Sequence, residues 1–298
     1  MPQRKTRAHR VARIVGSKRR IAGSLAGVLL GVMGVAFLLV THAATVALPI
    51  EAEAGTLGGN AKTVATTGAS GGSAVQFAGG GTTGQPVALV YDRPPFADTE
   101  NAQTLGSVLE KSDKHFKVIY VGGTHGQLTA QQLQSAALFA FPGGDVDPDT
   151  AKTDFAHEIP LVENFVSNGG HYLGVCAGGF VAGKEGFGVF PGQVGSYIDS
   201  PGAQVTDQED HAIDLLWHDG KSYKVDFQDG NYFDIPQGTP GVTILGTYTN
   251  KLPAVAVAPH GLGKAAFSGP HIEETVDDND PNSLPLWMDN ELLNELMK

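Results

Sequence analysis

The chain has 298 residues, 41% of them hydrophobic, with 20 Lys/Arg against 31 Asp/Glu and a net charge of −11. So acidic a balance excludes nucleic acid as an expected partner, because phosphate binding needs a basic face. One cysteine excludes an intrachain disulfide, so the fold must rest on a hydrophobic core. Residues 1–20 contain eight Lys/Arg and no acid, and residues 21–40 are uncharged and mostly apolar. At about 1.5 Å per helical residue the apolar run spans roughly 30 Å, the thickness of a bilayer core. The basic flank predicts a cytoplasmic tail over 1–20, a transmembrane anchor over 21–40, and everything beyond on the extracytoplasmic side. Thr41-His42-Ala43 offers a small-x-small cleavage site, so secretion after signal cleavage is the competing expectation. The run exceeds the roughly 7–15 residues of a signal h-region, which favours the anchor. Gly23, Gly27 and Gly31 recur every four residues and would let two such helices pack as a homodimer. Without the tail, 12 Lys/Arg face 31 Asp/Glu, or −19, which suits solubility outside the cell. A free thiol there is exposed to oxidation.

Residues 41–85 are rich in Gly, Ala, Thr and Ser and read as a spacer. Within them, Ile50 to Leu57 and Gly68 to Phe77 resemble the opening strands of extracellular β-sandwich carbohydrate-binding modules, shortened to a remnant or a hairpin. From Pro86 strands and helices alternate. Val87 to Asp92 reads as a buried strand, and Glu100 to Lys111 as a helix with Leu105, Val108 and Leu109 on one face. Phe116 to Val121 is a second strand. Thr129 caps a helix over Ala130 to Ala136. Ala137 to Phe141 is a third strand, closed by Pro142-Gly143-Gly144-Asp145. A helix starts near Pro160 and stops at Asn168-Gly169-Gly170. Tyr172 to Val175 is a fourth strand. Repeated βα units predict a parallel sheet with helices on both faces, and ligands at the carboxyl ends of its strands. After Gly186, short apolar runs split by Gly and Asp predict antiparallel strands added at the sheet edge. Leu284 to Met297 reads as a closing amphipathic helix.

The fourth strand leads into Gly174-Val175-Cys176-Ala177-Gly178-Gly179, with Phe180-Val181-Ala182 able to open a helix. A nucleophile on a sharp strand-to-helix turn needs small neighbours, because the backbone there is strained. A helix N-terminus also favours a thiolate. Downstream, Gly263 to Ser268 reads as a strand and is followed by Gly269-Pro270-His271-Ile272-Glu273-Glu274. A spacing of two puts His271 and Glu273 on one side of an extended backbone. His271 could then take the thiol proton while Glu273 holds its tautomer, with Glu274 as the orienter in another register. The oxyanion would be held by the N–H of Ala177 and by one from Gly143 or Gly144. Asp145 and Asp147 could bind a substrate amine. The ten histidines are scattered, and no metal site is expected even from His211 and His218 near Asp210 and Asp219. No cofactor motif of the phosphate-loop type occurs.

The elbow, the late Pro-His-Ile-Glu and the Phe-Pro-Gly-Gly-Asp loop resemble the class I glutamine amidotransferase-like superfamily. With Asn168-Gly169-Gly170 and Asp229-Gly230-Asn231-Tyr232-Phe233, they are closest to the domain at the N-terminus of some biotin-protein ligases. The resemblance covers about Pro86 to Lys298. It implies a three-layer, flavodoxin-like α/β domain over 86–298 with a Cys-His-Glu triad acting on a small-molecule or peptide amide. Glutamine amidotransferases carry Gln four residues after the nucleophile, where this chain has Phe180. The resemblance therefore implies an activatable Cys hydrolase scaffold, without assigning glutamine as its substrate. The competing class is an inactive ligand-binding module on the same scaffold.

Overall fold

The computed structural model describes residues 61–65, 72–77, 84–236, 238–274 and 286–298. The predicted span at 21–40, with Gly23, Gly27 and Gly31, lies outside them. Among the described residues no helix is long and apolar enough to cross a membrane. A hairpin pairs β1 (Ala61–Ala65) with β2 (Ser73–Phe77) antiparallel. Its second strand was expected. Its first comes from residues read as spacer, and Ile50 to Leu57 lies outside the described residues.

β3 (Val87–Tyr91) leads to α1 (Thr99–Lys111), which Asp98 caps by accepting the N–H groups of Glu100 and Asn101. β4 (Lys117–Val121) is followed by α2 (Ala130–Gln134). Thr129 and Gln132 close a capping box there, each side chain meeting the other's backbone N–H. β5 (Leu138–Phe141), α3 (Ala151–Asp154) and α4 (Glu158–Ser167) come next. Helix α4 starts two residues before the expected Pro160, which sits in the first turn where its missing N–H costs nothing. It stops where expected, at Gly169 with φ +103°. β6 (His171–Val175) feeds α5 (Ala177–Val181). β7 (Gln193–Ser196), β8 (His211–Trp217), β9 (Ser222–Phe227), β10 (Asn231–Asp234), β11 (Thr243–Tyr248), β12 (Pro253–His260) and β13 (Gly263–Ser268) complete the strands, and α6 (Leu286–Leu296) closes the fold.

Nine strands form one mixed sheet in the order β4-β3-β5-β6-β13-β12-β11-β8-β9. The first five are parallel. Numbered by appearance they run 2-1-3-4-5, the flavodoxin-like order. The other four are antiparallel and extend the sheet beyond β13, as expected for additions at an edge. β7 and β10 leave the main sheet and pair with each other, which the apolar runs did not foretell.

Period-two alternation splits the core between the two faces. Ala88, Val90, Leu138, Ala140, Leu173 and Val175 point to the side covered by α1 and α6. Leu89, Tyr91, Phe139, Phe141, Tyr172 and Phe267 point to the side of α2 and α4. Helix α6 buries Met288, Leu292, Leu293 and Leu296 against α1, β12 and β13. The domain is thus an α/β/α sandwich whose parallel strand ends share one rim.

Candidate active site

β6 ends at Val175, and Cys176 turns the chain with φ +48° and ψ −105°. This is costly for a residue with a Cβ, and the surroundings explain why it holds. A Cβ at Gly174 would strike the Gly178 carbonyl, and one at Gly178 would strike the Phe141 backbone. The Cys176 N–H donates to the Ser268 carbonyl at 2.8 Å, tying the elbow to the end of β13. Asn231, buried at the start of β10, donates its Nδ2 to the Cys176 carbonyl at 2.6 Å. Tyr248 in turn donates its hydroxyl to the Asn231 carbonyl at 2.7 Å. The helix behind the elbow was expected, but α5 has only five residues. Its dipole is too short to be the main support of a thiolate.

The neighbouring strand end brings the base. His271 follows β13, and its N–H donates to the Asp226 carbonyl at 2.9 Å. Its Nδ1 lies 2.9 Å from Glu273 Oε1. With Nδ1–H turned to the carboxylate, Nε2 is left for the thiol, which lines the same cleft and whose Sγ meets the Gln228 carbonyl at 3.6 Å. The three groups are secluded: relative exposures are 7% for Cys176, 4% for His271 and 0% for Glu273. Burial opposes a charge on His271, but Glu273 and Cys176 together outweigh it and hold the imidazole well above its ordinary pKa. Glu274 stands farther off, 4.0 Å from Nδ1. Burial, then repulsion from Glu273, pushes its carboxyl up to about 7. Between the two adjacent acids, Glu273 is the one on the imidazole.

These groups open on a cleft of about 1020 Å³. Cys176, Ala177 and His271 line it, as do Gly144 and Asp145 from the loop after β5. Gly143 sits just behind, where a Cβ would collide with the His271 ring and the Asn101 amide. Phe180 lines the cleft at the position where the resemblance would put Gln. Asp147 does not line it; its carboxylate accepts the Asp149 N–H at 2.9 Å in a local turn. His211 and His218 stay apart, each with its own acid, Asp207 and Glu291. Among the described residues, metal-ligand types gather within 4.8 Å only at His271, Glu273 and Glu274.

Several lining residues escaped the sequence. Asn101 sits in the first turn of α1, the element that follows β3, so the strand-end rule could have found it. Asp210, Asp226, Gln228 and Asp229 come from around β8 and β9, and the bridge of Asp226 with His271 that brings them to the site is encoded by no local pattern. Asn231 lay in a segment noted for its resemblance but carried no role.

Residues 87–189 match the family described as biotin-protein ligase, N terminal. An uncharacterized protein of Chlamydia muridarum is 31% identical over 164 residues, which take in 47% of this chain and 61% of that protein. The chain thus spans less than two thirds of that relative's length. Among solved structures, a glutamine amidotransferase from Thermotoga maritima superposes with a TM-score of 0.50 at 14% identity, over 72% of this chain and 99% of that one. Another glutamine amidotransferase gives 0.48 at 17% identity, with the same coverage of both chains. At such identities the likeness is one of fold.

Proposed function

We propose that the protein, which has the fold of a glutamine amidotransferase and matches the biotin-protein ligase N-terminal family over residues 87–189, cleaves an amide or related C–N bond through Cys176, His271 and Glu273. The observation that carries this reading is the assembly itself. A thiol on a strained elbow and an imidazole line one cleft, and the imidazole is backed at 2.9 Å by a carboxylate buried behind it. The raised pKa of His271 favours an imidazolium beside a thiolate.

The thiolate adds to the carbonyl carbon, forming a C–S bond as the carbonyl electron pair moves to oxygen. That oxyanion sits against the N–H of Ala177 and of Gly144 or Gly143; losing one such donor typically costs about 3 kcal/mol of barrier. His271 Nε2 gives its proton to the leaving nitrogen as the C–N bond breaks, and the amine departs from a thioester. Water then attacks, with Nε2 taking its proton. The C–S bond breaks, and a carboxylic acid and the thiolate are released. Glu273 keeps Nδ1 protonated and supports the imidazolium throughout.

Alkylation of Cys176 by iodoacetamide, followed by mass spectrometry across pH, tests the triad. Fast modification near pH 7 is expected, and Cys176→Ser should abolish it without unfolding the domain. His271→Ala should slow modification about tenfold or more and move the profile to higher pH. A rate and profile unchanged in His271→Ala would overturn the triad and leave the ligand-binding module as the better reading.

The basic tail and the apolar run at 21–40 support a single-pass protein whose cleaving domain is extracytoplasmic, with Gly23, Gly27 and Gly31 on a self-association face. Protease added to intact cells should digest that domain. Complete protection would reverse the orientation, and a soluble form beginning near Ala44 would replace the anchor with a cleaved signal.

A further inference from the structure

Among the described residues, seven carboxylates and no lysine or arginine line the cleft around Cys176. Asp98 and Asp145 stand on the side of β3 and β5. Asp210, Asp226, Asp229 and Glu274 stand on the side of β8, β9 and β13. Among the described residues none of these six forms an ion pair with Lys or Arg; the lysine partners are Asp214, Asp219, Glu185 and Glu295. The cation nearest to them, His271, is already matched by Glu273 and Cys176. Burial raises the carboxyls of Asp226, Asp229 and Glu274, and acids beside each raise them further. The cleft thus holds like charges, partly dehydrated, around Cys176, with His271 offsetting them in part at Asp226 and Glu274. A ligand of opposite sign would relieve that repulsion. The acids do not converge on a point, as a metal ion requires. Their spread suits an extended cation, and Phe180, Pro94 and Val146 supply apolar walls for its methylene stem.

We propose that the cleft selects amides bearing protonated amines, holding the ammonium among Asp145, Asp210, Asp226 and Glu274 while the scissile carbonyl lies over Cys176, and disfavours anionic amides. The thiol defines the site; the carboxylates determine what reaches it. This specificity rests on the amide-cleaving reading above.

Three chloroacetamides of similar size test it: N-(2-aminoethyl), N-(2-hydroxyethyl) and N-(carboxymethyl). In each, sulfur displaces chloride and forms a C–S bond, so the rates differ only through binding once divided by those with 2-mercaptoethanol. With the full-length protein at low salt, the cationic probe should modify Cys176 at least about tenfold faster than the anionic one. The gap should shrink in about 0.5 M NaCl. Asp145→Asn and Asp210→Asn together should also narrow it. Equal corrected rates would overturn the proposal. So would a gap that survives both substitutions, since the net charge of the whole chain would then account for it. If no probe modifies Cys176, the amide-cleaving reading fails on its own. Charge selection is then read by calorimetry, as binding of N-acetyl-lysinamide against N-acetyl-isoglutamine. A cleft that prefers neither, or prefers the anion, refutes it.

Discussion

Cys176 occupies a conformation that costs a residue with a Cβ on the order of 1–3 kcal/mol, and Glu274 keeps a carboxyl where burial and Glu273 disfavour its charge. Both are local expenses, tolerated where the rest of the domain over-determines the geometry. The second can be read by titration. Glu274 rises from 4.5 to about 7 on folding, and His271 rises well above 6.5, so each binds its proton more tightly in the folded state. Each therefore contributes stability that is present at low pH and lost as pH rises. For Glu274 the loss runs from about 4.5 through about 7, and for His271 it continues above 6.5. Above that window an ionised Glu274 is a burden. Glu274→Gln should raise the urea midpoint at pH 8, by on the order of 1 kcal/mol in stability, and leave it nearly unchanged at pH 4. A substitution that lowers stability at pH 8 would mean that Glu274 is favourably paired.

At the scale of elements, the elbow is a joint between β6, β13 and β10. Cys176 offers its N–H to β13 and its carbonyl to Asn231. Asn231→Ala should remove one donor from that carbonyl, which keeps the N–H groups of Gly179 and Phe180, costing about 1 kcal/mol in urea unfolding. It should also slow Cys176 alkylation, because the turn that aims the thiol loosens. Unchanged alkylation would make Asn231 a purely structural residue. The elements were legible wherever a local rule set them. Thr129 with Gln132, Gly169 after α4, and the run from Gly263 to Ser268 are each readable because their partners lie within a few residues or in the period of the chain itself. The first strand of the hairpin was not. Ala61 to Ala65 has a composition that also suits a spacer, and it becomes a strand through its pairing with Ser73 to Phe77.

Across the whole domain, the parallel half supplies Cys176 and the loop of Gly144 and Asp145, and the antiparallel half supplies Asp210, Asp226 and Asp229 to the same cleft. α6 seals the face of α1 from the far end of the sequence. A protein beginning at Pro86 should therefore unfold in one cooperative transition, with loss of tertiary and secondary signals coinciding; separate transitions would divide the sheet at β13.

The sequence by itself determined the βα succession, the small-residue elbow at Cys176 and the pairing of His271 with Glu273, because periodicity, turn chemistry and a spacing of two act over a few residues. Only the tertiary structure decided that Asn231 holds the elbow, and that Asp210 and Asp226 line one cleft with Asp145. Those relations depend on strand order. β11 and β12 separate β8 and β9 from β13 in the sheet, and the end of β9 reaches the site through the bridge of Asp226 with His271. Which edges meet is chosen by burial of the whole sheet, a sum over many distant contacts that no short stretch of chain records.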